Sequence, residues 1–128
     1  MITVVVADDH TVLRDGLRYL LEAQGDIQIV GMAANGLEAV EQARLYCPDV
    51  VVMDISMPVM NGIEATRLIC EACKDTKVVV LSMHHTAEYM QRAMEAGAVG
   101  YLLKDTAGRE LVTAIRGLKD GKSYFSPR

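Results

Sequence analysis

Five short, continuous apolar runs punctuate this 128-residue chain and constrain its fold more than any other feature. They occupy Ile2–Ala7, Ile27–Ala33 and residues 49–53, 77–81 and 99–103. Most are rich in Val or Ile, and none shows polar alternation, the pattern of a strand buried on both faces. Between the runs, apolar residues repeat at helical spacing. Leu13, Leu17, Leu20 and Leu21 share one face, with Gly25 as the stop. Ala39, Val40, Ala43 and Cys47 form a second, closed by Pro48. Ile63, Thr66, Ile69 and Cys73 form a third, and Tyr89, Met90, Ala93 and Met94 a fourth, ended by Gly97. Leu111, Ile115 and Leu118 form the fifth. The order βαβαβαβαβα predicts an α/β domain: a doubly wound, five-stranded parallel sheet with helices on both faces.

One signature occurs twice, as Asn35-Gly36-Leu37-Glu38-Ala39 and Asn61-Gly62-Ile63-Glu64-Ala65. Asn-Gly can turn a hairpin, but helical spacing follows both copies. Each Asn therefore reads as a helix N-cap with a Glu three residues on. The domain is expected over residues 1–120. Residues 121–128, "GKSYFSPR", are polar, carry Gly121 and Pro127, and read as the start of a linker.

Sheets of this kind bind ligands beyond the carboxyl ends of their strands. The first run ends in Asp8 and Asp9, the third in Asp54, the fourth in Ser82, and Lys104 lies just past the fifth. A single polar strand end is ordinary. Three carboxylates and a lysine at one edge are not, because like charges about 4 Å apart cost about 4 kcal/mol even at an effective dielectric near 20. Such a cluster needs a counter-charge. Hard oxygen donors suit Mg²⁺, which joins one or two carboxylates to a phosphate. A lysine can then hold a phosphate oxygen, and a carboxylate can itself take up a phosphoryl group.

The segments "VVVADDH", "VVVMDISMPVMNG", "VVVLSMH" and "AGAVGYLLK" resemble the receiver domain of two-component response regulators, in particular the NarL/FixJ-type subfamily with LuxR-type output. The resemblance runs from residue 2 to about residue 120, in order. It implies the flavodoxin-like strand order 2-1-3-4-5. It implies that Asp54 accepts a phosphoryl group from a sensor histidine kinase, and that Lys104 and Ser82 assist. It implies Mg²⁺ or Mn²⁺ held by Asp8, Asp9 and Asp54 and by the Ser56 carbonyl, with Asp8 acting mainly through water. Ser82 and Tyr101 would form the switch, Tyr101 swinging inward. Ser82 stands where many receivers carry Thr and keeps the hydroxyl.

Such a domain is a signalling module, not an enzyme with its own substrate. "DGKSYFSP" resembles the stretch leading into a helix-turn-helix, so the resemblance implies a C-terminal DNA-binding domain in a longer protein. Phosphorylation would free that domain or promote a homodimer. The fragment itself is not expected to bind nucleic acid: 13 Lys and Arg against 17 Asp and Glu give a net charge of −4. No apolar run reaches membrane-spanning length, and "MITVVVADDH" lacks a basic leader, so a cytoplasmic protein is expected. Three cysteines, Cys47, Cys70 and Cys73, then read as reduced thiols. Cys70 and Cys73 fall late in a helical segment, which argues against a redox or zinc pair.

Two rival readings fare worse. A haloacid-dehalogenase-like phosphohydrolase would want a second acid two residues after Asp54, where Ser56 stands, and 128 residues leave no room for a cap domain. A nucleotide binder would want a glycine-rich phosphate loop, and none follows any strand. His84 and His85 read as loop residues and His10 as a rim residue, not as zinc or iron ligands; their functional alternative is control of water access to the phosphoryl group. The eight methionines read as core filler, with Met90 and Met94 placed to reach a partner surface.

Overall fold

A computed structural model describes residues 1–83 and 87–125, save the side chains of residues 106 and 107. The strands are β1 (Ile2–Ala7), β2 (Ile27–Ala33), β3 (Val50–Asp54), β4 (Lys77–Ser82), β5 (Gly100–Leu103) and β6 (Tyr124–Phe125). The helices are α1 (Thr11–Glu22), α2 (Gly36–Tyr46), α3 (Gly62–Ala72), α4 (Ala87–Ala96) and α5 (Ala107–Lys119), with one 3₁₀ turn at Lys104–Thr106. All strands are parallel, in the order β2-β1-β3-β4-β5-β6.

The unbroken apolar strands have a direct cause. Val5, Ala7, Val51, Met53, Val78 and Val80 face one cluster with α2, α3 and α4 residues such as Val40, Ile69 and Ala93. Val4, Val6, Val50, Val52, Val79 and Leu81 face the other, with Leu17 and Leu21 of α1 and Leu111, Ile115 and Leu118 of α5. Both faces of the central strands are dry, so both alternating residue sets must be apolar.

The repeated Asn-Gly signature starts helices, as predicted. Asn35 Oδ1 accepts from the Glu38 amide and Asn61 Oδ1 from the Glu64 amide, each at 2.9 Å. Glu38 reaches one residue further back than a capping box requires, accepting from the Ala34 amide at 2.8 Å. Both glycines abut the loop after β3. A Cβ at Gly36 would strike the Met60 backbone, and one at Gly62 the backbones of Asp54 and Ile55.

Three details differ from the sequence reading. Two residues of the segment taken as linker, Tyr124 and Phe125, form β6, paired in register with Gly100 and Tyr101. Tyr124 packs against one core cluster and Phe125 against the other, so burial outweighs the polar neighbours that hid this strand. Pro127 and Arg128 lie outside the described residues. Cys47 is the exposed, left-handed C-cap of α2 instead of part of its buried face. Met94 of α4 is exposed, and only Ala93 of the predicted face is fully buried.

Candidate functional site

The site lies at the carboxyl edge of the sheet, as predicted from where the charges fall. Asp54 is the last residue of β3 and Asp8 follows β1; they are 2% and 1% exposed. Lys104 follows β5 and reaches back between them. Its Nζ lies 2.9 Å from Asp54 Oδ2 and 3.2 Å from Asp8 Oδ2. Asp9 stands at the solvent side. Ligand atoms from Asp8, Asp9, His10 and Asp54 all lie within 4.8 Å of one another.

Backbone contacts fix each acid. The Asp8 amide donates to the Ala33 carbonyl at 3.0 Å, and Arg14 Nη1 donates to the Asp8 carbonyl at 2.7 Å. The Ser56 amide donates to Asp54 Oδ1 at 3.3 Å. The loop beyond closes with the Gly62 amide on the Ile55 carbonyl at 2.9 Å. Within it Val59 has φ +70°, and the Met60 amide donates to the Pro58 carbonyl at 2.7 Å. That is a strained γ-turn at a β-branched residue.

Burial pushes the Asp54 carboxyl above the ordinary aspartate range; the Lys104 hydrogen bond opposes this, and the Asp8 charge adds to it. For Lys104, burial disfavours the ammonium, but the hydrogen bond to Asp54 and the charges of Asp54 and Asp8 outweigh it and raise its pKa. Two buried carboxylates, Asp8 and Asp54, thus share one ammonium, with Asp9 beside them. Asp8 Oδ2, fully buried, has the Lys104 ammonium 3.2 Å away but makes no well-directed hydrogen bond among the described residues. Clustered carboxylates in excess over their one ammonium fit a divalent cation with oxygen donors.

Ser82 ends β4 and is buried. Tyr101, on neighbouring β5, is fully buried and shares a side-chain hydrogen bond with Ser82. Burial raises the Tyr101 phenol pKa, and the Ser82 bond partly offsets it.

The structure therefore brings together Asp8, Asp9, Asp54 and Lys104, with Ser56 two residues past Asp54 and the Ser82–Tyr101 pair on the adjacent strands. It also adds a residue that sequence reasoning had left at the rim. His10 Nδ1 lies 3.2 Å from Asp8 Oδ1, 3.3 Å from Asp9 Oδ1 and 3.3 Å from Lys104 Nζ. Its place next to the acidic pair was the only signal in the sequence. His84 and His85 lie outside the described residues. An open cleft lined by His10, Leu13, Met83, Lys104 and Asp105 leads to the site.

The response regulator receiver domain family matches residues 4–116. The chain is a receiver domain of that family. This receiver is 44% identical, over 97% of its length, to an uncharacterized transcriptional regulatory protein, YxjL, of Bacillus subtilis. It is 42% identical over 98% of its length to the response regulator UvrY of Escherichia coli. It spans 57% and 58% of those two relatives. Among solved structures, it superposes on a LuxR-family two-component response regulator from Aurantimonas with a TM-score of 0.94 and 36% identity, covering 99% of this receiver and 91% of that chain. The signal receiver domain of a putative response regulator NarL from Mycobacterium tuberculosis gives 0.90 and 33%, with 94% and 98% covered. The receiver thus falls among LuxR-family response regulators, a class that controls transcription.

Proposed function

We propose that Asp54 is the phosphoacceptor of this receiver, with a sensor histidine kinase as donor. One observation carries the reading. A buried carboxylate is held at a strand end 2.9 Å from a lysine ammonium, with two more carboxylates beside it. An Asp54 oxygen attacks phosphorus, the bond from phosphorus to the donor's imidazole nitrogen breaks, and that nitrogen keeps the electron pair. Asp8, Asp9 and Asp54, with the Ser56 carbonyl, are the residues that would hold Mg²⁺ or Mn²⁺. Such an ion supplies charge neutralisation for the incoming phosphoryl oxygens. Lys104 supplies the second cation, and its ordinary partner on the acceptor is already in place. Ser82 and Tyr101 report the phosphoryl group to the α4–β5 side of the domain through their shared hydrogen bond.

The test is incubation with acetyl phosphate and Mg²⁺. The expected product is one phosphoryl group per chain, labile to alkali and hydroxylamine as an acyl phosphate is, and absent in Asp54→Asn. Continuous release of phosphate from many substrates would instead support the phosphohydrolase reading, and labelling of the Asn variant would refute the acceptor. Excess chelator should stop labelling.

The longer relatives, named as transcriptional and response regulators, support reading this domain as the regulatory part of a DNA-binding protein acting in the cytoplasm. Phosphorylation would then release the output domain or pair two receivers. The domain boundary at residue 120 and the linker role of residues 121–128 belong to this proposal. The open reading frame beyond Arg128 tests it: a helix-turn-helix sequence supports it, and a stop codon there refutes it.

A further inference from the structure

His10 occupies the N-cap of α1, yet its side chain makes no capping hydrogen bond. Ser, Thr, Asp or Asn would serve that position better. The imidazole points instead into the acidic cluster. Its Nδ1 stands 3.2 and 3.3 Å from oxygens of Asp8 and Asp9. Adjacent ligands around an octahedral first-row dication, each roughly 2.1 Å from it, lie about 3.0 Å apart. The spacing of this nitrogen from the two carboxylates is close to that edge. The neighbouring Asp8 Oδ2 is buried, and the Lys104 ammonium, 3.2 Å from it and 3.3 Å from His10 Nδ1, is the one lysine set against these carboxylates among the described residues.

We infer that His10 is a nitrogen ligand that tunes which divalent cation this receiver holds. The inference rests on the proposed cation site at Asp8, Asp9 and Asp54. An all-oxygen set suits Mg²⁺ and Mn²⁺, whereas imidazole favours later ions such as Co²⁺ and Zn²⁺. With three carboxylates and one imidazole, the donor set is mixed, and preference moves toward the later ions. The backbone also prepares the ring: the His10 amide donates to Asp8 Oδ1 at 2.8 Å, which fixes the residue beside its carboxylate partner.

The experiment measures equilibrium binding of Mg²⁺, Mn²⁺ and Co²⁺ to the unphosphorylated chain at one fixed alkaline pH. Wild type, His10→Ala, His10→Gln and Asp9→Ala are compared, with circular dichroism to verify folding. The ratio of Co²⁺ to Mg²⁺ affinity should fall about tenfold in His10→Ala. Pulsed electron paramagnetic resonance of Mn²⁺-loaded wild type should show coupling to a ring nitrogen, lost in both His10 variants. Tight Mn²⁺ binding without nitrogen coupling, or an unchanged Co²⁺ to Mg²⁺ ratio, would overturn the inference and leave the cation site standing. Failure of every ion to bind, or full binding in Asp9→Ala, would overturn the underlying site itself.

Discussion

Replacing Asp54 by asparagine should stabilise the fold while abolishing phosphorylation. Asp54 and Asp8 are both buried, and one lysine serves both. At an effective dielectric near 20, the 2.9 Å Lys104–Asp54 pair attracts by about 6 kcal/mol, and carboxylate oxygens no more than 4.8 Å apart repel by at least about 3.5 kcal/mol. The difference, at most about 2.5 kcal/mol, must offset a desolvation penalty of several kcal/mol for a buried ion, and it does not. The raised Asp54 pKa, dominated by burial, has the same sign. Asn keeps the shape and removes the charge, and Lys104 keeps Asp8 at 3.2 Å. The gain at neutral pH should be roughly 1–3 kcal/mol, or about 3–9 °C in Tm for a chain of this size.

The pH dependence gives the sharper check. The folded state keeps a proton on Asp54 that the unfolded chain, at the ordinary value of 3.8, has already released. Wild-type stability therefore falls as pH rises from the ordinary value through the raised one, and the deficit is complete above the latter. Asn should show no such loss. Urea denaturation followed by circular dichroism, in chelator, should give converging stabilities near pH 4 and a gap at pH 7.5. Adding Mg²⁺ should narrow the gap by binding the wild type. A destabilised Asn variant at pH 7.5, or a gap independent of pH, would refute the reasoning.

Asp49 shows the opposite sign: burial would raise its pKa, but the Thr3 amide and hydroxyl and the Lys119 ammonium lower it. Asp49→Ala should cost roughly 1–2 kcal/mol at pH 7, a loss that shrinks as pH falls below 3.8. Urea titration at several pH values reads it. Gly62→Ala should destabilise by roughly 1–3 kcal/mol and slow acetyl phosphate labelling, because its Cβ meets the Asp54 backbone; a fold and labelling rate like wild type would count against that contact. Ser82→Ala should leave Asp54 able to accept phosphate but shrink the amide chemical-shift response of residues 100–105 to a beryllofluoride mimic. Among the thiols, exposed Cys47 should react first with a disulfide reagent, and buried Cys73, whose pKa is raised chiefly by burial, last.

Most of the site was legible because strand ends were. A run of three valines and Met53, followed by Asp54, announces both the buried strand and the edge where it stops. The same logic places Asp8, Ser82 and Lys104, and the structure needs only parallel pairing to bring them together. What depends on side-chain direction was not legible. Nothing periodic says that His10 turns into the cluster instead of capping α1, or that Arg14 reaches the Asp8 carbonyl. The positive φ of Val59 was hidden too, since β-branched residues avoid it and only the closed loop enforces it. β6 escaped because two half-buried aromatic residues between polar ones carry no period.

That short strand also guards against association. Without Tyr124 and Phe125, the outer edge of β5 would offer unpaired backbone donors and acceptors, the template on which a strand from another molecule can add. Gly100 permits the cover: a Cβ there would lie 3.1 Å from the Tyr124 carbonyl oxygen and 2.8 Å from a Val79 methyl. Cutting this receiver before residue 124 would uncover the edge beside the Ser82–Tyr101 pair. Dimers of such a shortened chain would arise from the exposed backbone, whether or not Asp54 carried a phosphoryl group.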